Sequence, residues 1–260
     1  MTPTVTAAHL ALAETLADAA GEIIRGYFRK NIGVEQKSDR TPVTIADRGA
    51  EKIMRRLIEI AFPLDGIVGE EFGAQRADAD YVWVLDPIDG TKSFISGVPL
   101  FGTLIALTYR GSPVLGVIDQ PVLRERWIGA AGRKTIFNGR AIATRRCASL
   151  GAATLFATAP EMFAPRNTAA FNRLRAKVKL ARFGADCYAY GLLASGFIDL
   201  VVEASLKPHD FCALLPIVEG AGGKMRDWQG RALTLESDGR VIASGDPKLL
   251  AKAQTVLARR

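Results

Sequence analysis

Cysteine is scarce in this chain. Cys147, Cys187 and Cys212 are the only three in 260 residues, an odd number without a CxxC pair. That usage argues against a disulfide framework or a thiolate zinc site and suits a reducing, cytoplasmic setting. No histidine stands at a motif distance from Cys187 or Cys212, so both read as small core residues and not as nucleophiles. Long apolar runs are also missing, and none approaches membrane-spanning length. The N-terminus lacks a basic start followed by an unbroken apolar stretch, so no signal peptide is expected. Internal repeats and low-complexity tracts are absent. Acids are missing from one stretch, where Arg166, Arg173, Arg175, Lys177, Lys179 and Arg182 follow one another with Phe171 as the only interleaved aromatic. With a net charge of +7 this could suggest nucleic acid. The pattern instead fits a solvated helix face, so nucleic acid is not an expected partner, whereas small anionic substrates would be attracted.

What is present is an ordinary globular composition, 48% hydrophobic and 23% charged, with enough length for one large domain or two small ones. Residues Thr6 to Phe28 read as an amphipathic helix with Leu12, Leu16, Ile23 and Tyr27 near one face. Val34 to Lys37 reads as a short strand and Ser38 to Pro42 as a loop. Thr44 then caps a helix through Ile53, Met54, Leu57 and Ile58. Gly66 to Gly69 and Tyr81 to Leu85 are apolar strands. Thr103 to Tyr109, Val114 to Asp119, Glu125 to Ala130 and Lys134 to Phe137 form an antiparallel meander. Thr154 to Thr158, Phe197 to Glu203 and Val241 to Ser244 read as further strands. Arg166 to Lys177, Asp186 to Ser195, His209 to Glu219 and Pro247 to Leu257 read as helices. A boundary near Ala148 divides an α+β part, residues 1–145, from an α/β part, residues 146–260.

Chemistry concentrates where strands end in acids. Trp83-Val-Leu-Asp86-Pro-Ile-Asp89-Gly-Thr91 closes an apolar run with two carboxylates, and Pro87 is expected to stop the strand. Two like charges so close need a cation between them or else serve as turn caps, and the stretch alone leaves both readings open. Glu70, closing the preceding strand, could reach the same edge. Asp47 lies in a first helical turn, where capping is the simplest explanation, and Asp210 follows Pro208 in another first turn. Together Asp47, Glu70, Asp86, Asp89 and Asp210, with the Ile88 carbonyl, form an oxygen-only donor set. Such a set favours magnesium, manganese or calcium over zinc and suits hydrolysis of a phosphate ester. Thr91 and Asp47 would orient and deprotonate water, and the Gly90 and Thr91 amides would hold phosphate oxygens.

Asp86-Pro-Ile-Asp-Gly-Thr91, preceded by Gly69-Glu-Glu71 and followed by Lys207-Pro-His-Asp210 and Glu219-Gly-Ala-Gly-Gly223, resembles the inositol monophosphatase superfamily. The resemblance covers nearly the whole chain. It implies an α-β-α-β-α layered sandwich of the fructose-bisphosphatase type, homodimeric, with two or three magnesium ions held by Glu70, Asp86, the Ile88 carbonyl, Asp89 and Asp210. It also implies catalytic support from Asp47, Thr91 and Glu70, with Glu71 a lesser candidate. Gly184 to Tyr190, Asp199 to Glu203 and Leu206 to Asp210 look like the histidinol-phosphate phosphatase branch. In that branch Asp186 and Glu203 would read an ammonium and an imidazole, and Arg182 would touch the substrate at the rim. The competing readings are that Asp186 caps a helix and Glu203 pairs with Lys207, while His209 reads as a packing or supporting residue. The alternatives are an inositol-1-phosphate or broad sugar-phosphate phosphatase and a non-catalytic RNA- or protein-binding regulator. Retention of every metal-site acid argues against the regulator.

Overall fold

The structure is a computed structural model and describes residues 5–31, 34–36 and 42–259. The first helix, α1 (Ala7–Tyr27), starts where Thr6 Oγ1 accepts the His9 amide at 3.2 Å, and its buried stripe runs through Leu12, Leu16 and Ile24. Ile23, expected on that face, is half-buried. A short antiparallel pair follows, β1 (Val34–Gln36) with β2 (Pro42–Thr44), leading into α2 (Ile45–Ala61). Thr44 caps α2 as its sequence suggested. Lys37 and most of the expected Ser38–Pro42 loop lie outside the described residues; Pro42 itself opens β2.

The larger sheet is built from β3 (Gly66–Gly69), β4 (Gly73–Gln75), β5 (Tyr81–Asp89), β6 (Gly102–Tyr109), β7 (Ser112–Gln120), β8 (Glu125–Ala130), β9 (Ile136–Phe137) and β10 (Arg140–Ala141). A single-turn helix, α3 (Thr91–Ile95), interrupts it after β5. Strand order is β10-β9-β8-β7-β6-β5-β3-β4, antiparallel except for the parallel β3–β5 pair. Strand β5 does not stop at Pro87. It continues to Asp89 through a register shift between Asp86 and Asp89, a bulge where the missing proline amide is not needed by the ladder.

The second half comprises β11 (Thr154–Ala157), α4 (Pro165–Arg175), β12 (Leu180–Phe183), α5 (Tyr188–Ala194), β13 (Leu200–Glu203), α6 (Pro208–Phe211), α7 (Leu214–Gly220), β14 (Lys224–Asp227), β15 (Val241–Ser244) and α8 (Pro247–Ala258). Its sheet runs β12-β11-β13-β15-β14. The helix expected over His209–Glu219 is two helices, α6 and α7. Pro216 explains the break, because it has no amide to give the carbonyl of Cys212 one turn earlier. Strands β12 and β14 were not expected. The first alternates exposed and half-buried residues inside the basic stretch, and the second is only four residues long.

Side-chain alternation along β5 and β6 explains the layering. Trp83, Leu85, Ile105 and Leu107 join α1 and α2 in one core, while Val82, Val84, Leu104 and Ala106 face the other way. This second face meets α5, α6 and α7, which also cover the smaller sheet through Val201, Met225 and Ala243. Helices α4 and α8 close the far side of that sheet over Leu155, Leu200 and Ile242. The result is an α-β-α-β-α sandwich. Its middle layer sits very close to the large sheet: a Cβ on Gly116 would lie 1.9 Å from the Ala213 carbonyl oxygen.

Candidate active site

Parallel pairing of β3 with β5 sets Gly69 opposite Leu85, so the next residues, Glu70 and Asp86, emerge side by side. The Glu70 amide donates to the Leu85 carbonyl at 3.1 Å and continues the ladder one step into the loop. Asp86 is 2% exposed. Its Oδ1 accepts the Ile88 amide at 3.1 Å, which turns the bulge so that Asp89 points to the same space. Oxygens of Asp86, Asp89 and Asp210 all lie within 4.8 Å of one another, and Glu70, Asp86 and the His209 imidazole form a second such group. Asp210 arrives on α6, its Oδ2 accepting the Lys207 amide at 2.6 Å.

Asp47 caps α2 with one carboxylate oxygen and leaves the other over. Its Oδ2 accepts the Thr44 amide at 2.8 Å and the Thr44 hydroxyl at 2.5 Å. Its Oδ1 is buried without a hydrogen-bond partner among the described residues. Capping needs one oxygen, and a buried orphan acceptor in a native site calls for a ligand. Burial raises the Asp47 pKa, and the charge of Glu70 adds to the effect.

The other acids are pushed the same way. Burial, then Glu70, Asp89 and Asp210, hold the Asp86 carboxyl well above the usual carboxylate range. Burial, Asp186 and Asp210 do so for Asp89, and burial raises Asp210 against the relief offered by His209. Such a cluster cannot be fully ionised when dry, and a hard divalent cation is the species that relieves it. The oxygen-rich donors of Glu70, Asp86, Asp89 and Asp210 fit that cation.

A sequence model described as the inositol monophosphatase family matches residues 7–258. The chain belongs to that family. It is 54% identical over 236 residues to the bifunctional phosphatase IMPL2, chloroplastic, of Arabidopsis thaliana, covering 90% of this chain and 68% of that protein. It is 40% identical over 237 residues to a histidinol-phosphatase of Chlorobaculum parvum, covering 90% of this chain and 92% of that protein. The solved structure of an inositol monophosphatase from Zymomonas mobilis matches with a TM-score of 0.91 at 49% identity, over 98% of this chain and 100% of that one. The protein is therefore a phosphatase of the inositol monophosphatase family, a metal-dependent family whose substrates are small phosphorylated molecules. No helix among the described residues is long and apolar enough to cross a membrane.

Within this inositol monophosphatase fold the remaining candidates separate. The Ile88 side chain is buried beside α1 and α2, while its carbonyl accepts the Thr91 hydroxyl at 3.1 Å. Gly90 precedes α3 in the left-handed region at φ 90°, and a Cβ there would come within 3.0 Å of Asp186 Oδ2. Asp186 does not cap a helix: α5 starts at Tyr188, and Asp186 itself holds φ 45°. Its Oδ2 accepts the Ser93 hydroxyl at 3.1 Å, and burial lifts its pKa to about 6. Glu203 makes no ion pair with Lys207. Its oxygens accept the Thr158 amide at 3.0 Å, the Thr158 hydroxyl at 2.5 Å and the Tyr190 hydroxyl at 2.8 Å. Burial raises the Glu203 pKa to about 7, with Asp186 contributing as a neighbouring charge. His209 sits beside the acid cluster, its Nε2 3.5 Å from Asp210 Oδ1. Arg182 is exposed on β12, its guanidinium 5.7 Å from the centre of the Phe156 ring, and none of its described contacts reaches the acids. Cys187 and Cys212 are buried core residues, as expected, but the Cys187 amide donates to Asp89 Oδ2 at 2.6 Å.

Sequence reasoning missed Glu51, Tyr190 and Ser93. Glu51 carried a signal, since it lies one helical turn after Asp47 on the same face of α2. A tyrosine and a serine inside short helices carry none until their partners are known.

Proposed function

We propose that the protein is a magnesium-dependent histidinol-phosphate phosphatase, acting as a cytoplasmic homodimer on L-histidinol phosphate. The observation that carries this reading is a second pair of acids, half-buried Asp186 and buried Glu203, beside those suited to metal. Histidinol phosphate brings an ammonium and an imidazole, which need carboxylate partners once desolvated; inositol brings neutral hydroxyls. Asp186 touches the phosphate-side loop through Ser93 and would contact the cation directly. Glu203 has about one acceptor direction left after its three internal bonds and would act from beneath.

Glu70, Asp86, Asp89, Asp210 and the Ile88 carbonyl would hold the metal, which when bound supplies positive charge to the phosphate oxygens and to the attacking water. The chain's own part in the reaction begins with Asp47. Its unpartnered Oδ1, buried and with a raised pKa, takes a proton from water as the water oxygen bonds to phosphorus. The ester P–O bond breaks, the leaving oxygen takes a proton from solvent and Asp47 returns its own to solvent, so water is the only reactant consumed besides the ester. Thr91, now bonded to the Ile88 carbonyl, orients that water. The first amides of α3, without intrahelical acceptors, face phosphate oxygens. Arg182 would reach the substrate at the rim.

A second reading, an inositol monophosphatase, is favoured by the 49% identity to the Zymomonas mobilis enzyme. Purified protein with magnesium should release phosphate from histidinol phosphate at least tenfold faster, in kcat/KM, than from inositol 1-phosphate. The reverse order hands the assignment to the second reading.

A further inference from the structure

Three residues of α2 line up one turn apart: Asp47, Glu51 and Arg55. The first belongs to the site. The next two reach the hairpin that carries Glu70 and Glu71. Glu51 is fully buried and Arg55 has a side-chain exposure of 12%. Glu51 Oε2 accepts the Glu71 amide at 2.7 Å, and Oε1 accepts the Phe72 amide at 3.2 Å together with Arg55 Nε at 2.7 Å. The Arg55 guanidinium in turn donates to the Gly73 carbonyl. Adding the Glu70 amide, which is held by the Leu85 carbonyl, accounts for every amide from 70 to 72.

The chain is shaped to admit this carboxylate. A Cβ on Gly69 would stand 1.9 Å from Glu51 Oε1, so only glycine leaves room for it at the end of β3. Burying the Glu51–Arg55 ion pair costs desolvation that a neutral hydrogen-bonding side chain would avoid, so it is an expensive way merely to brace a turn. A purely structural brace needs no such charge. Two fixed acceptor oxygens, however, set the direction of two successive amides at once, and so the direction in which Glu70 leaves the sheet.

We propose that Glu51, seated by Arg55, is a positioning residue that aims Glu70 at Asp86 and so sets the affinity of the site for its divalent cation. It rests on the assignment of Glu70 to the metal site under the proposed function. Asp47 and Glu51 share one rigid helix, so the group that takes the proton and the group that aims the metal ligand move as one body. Partners of this kind govern metal affinity by 10–100-fold in other metal sites.

Glu51→Gln tests it. The variant keeps the shape but has one acceptor where two are needed, and it sets an NH2 group against an amide. Magnesium binding measured by calorimetry on wild type and variant should weaken roughly 10–100-fold. The magnesium concentration for half-maximal activity should rise in parallel, with little change in KM at saturating metal. A lower melting temperature with unaltered magnesium affinity overturns the inference and leaves Glu51 a structural brace. Wild-type protein that binds no magnesium overturns the metal assignment itself, a separate outcome. Should Glu51→Gln fail to fold, Arg55→Met with the same titration decides: unchanged affinity overturns the inference. Hydrogen exchange of the wild-type protein gives an independent check, with slow exchange expected at Glu71 and Phe72. Exchange at open-loop rates would contradict the clamp.

Discussion

Ser93 Oγ donates to Asp186 Oδ2 at 3.1 Å, a bond between side chains 93 positions apart. It ties the short helix behind the metal-site loop to the carboxylate proposed to read the substrate. On the proposed function, phosphate chemistry and ester choice would meet at one contact. Gly90, with no Cβ, makes the approach possible.

Asp186→Ala separates the two roles. Loss of a charge-assisted bond to the substrate should raise KM for histidinol phosphate about 10–100-fold, from about 1.5–3 kcal/mol per bond. Turnover of p-nitrophenyl phosphate should stay within about twofold. Equal losses on both substrates in steady-state kinetics would return Asp186 to a structural role.

Ser93→Ala probes the same contact through pH. Asp186 titrates at about 6, and the Ser93 hydroxyl is one of the groups that lower it against burial. Only the ionised carboxylate attracts an ammonium, so affinity for a cationic substrate falls as pH drops through that value. Without the hydroxyl the acid limb of kcat/KM against pH should move upward. An acid limb that coincides with the wild type's would sever Ser93 from substrate reading.

The acid cluster predicts how the metal-free protein responds to pH. Asp86, Asp89 and Asp210 have folded-state pKa values raised above their unfolded values. The folded state then binds more protons than the unfolded one, so stability decreases as pH rises from the unfolded carboxylate range near 4 through the folded values. In chelator, the melting temperature should be higher at pH 5.5 than at pH 8, and magnesium should restore it at pH 8. Asp86→Asn should abolish turnover and raise the metal-free melting temperature at pH 8, by about 2–4 °C for each kcal/mol of repulsion relieved. A flat or opposite pH trend in differential scanning fluorimetry would contradict the electrostatic account.

Gly116→Ala tests the packing of the middle layer. Backbone, not a flexible side chain, stands in the way of the new methyl, so β7 and the α6–α7 junction must part. Overpacking of this kind costs about 1–3 kcal/mol. The urea midpoint should fall by the corresponding amount with the m-value unchanged.

Local readings succeeded where a residue's neighbours in sequence are also its neighbours in space. Thr44 and Asp47 cap their own helix three residues apart, and the alternation of Trp83, Val84 and Leu85 already divides two cores. Pro87 misled, because a bulge absorbs its missing amide. Pro216 could have divided α6 from α7 in advance, since its lost bond to Cys212 follows from helix geometry alone.

The carboxylates themselves, their order along the chain and their placement at strand and helix ends are properties of the sequence. Oxygen donors at those ends favour a hard cation over zinc by ligand type, and the motifs around them carry the family resemblance. Only the folded structure decides which oxygen of Asp47 is left over after capping. The same holds for Asp186, set beside Ser93 and not at a helix start, and for Glu51, which reaches the amides behind Glu70. The physical reason is the same in each case. A carboxylate's charge is intrinsic to the residue. Its protonation, direction and partners depend on burial and on groups that chain topology brings from far away.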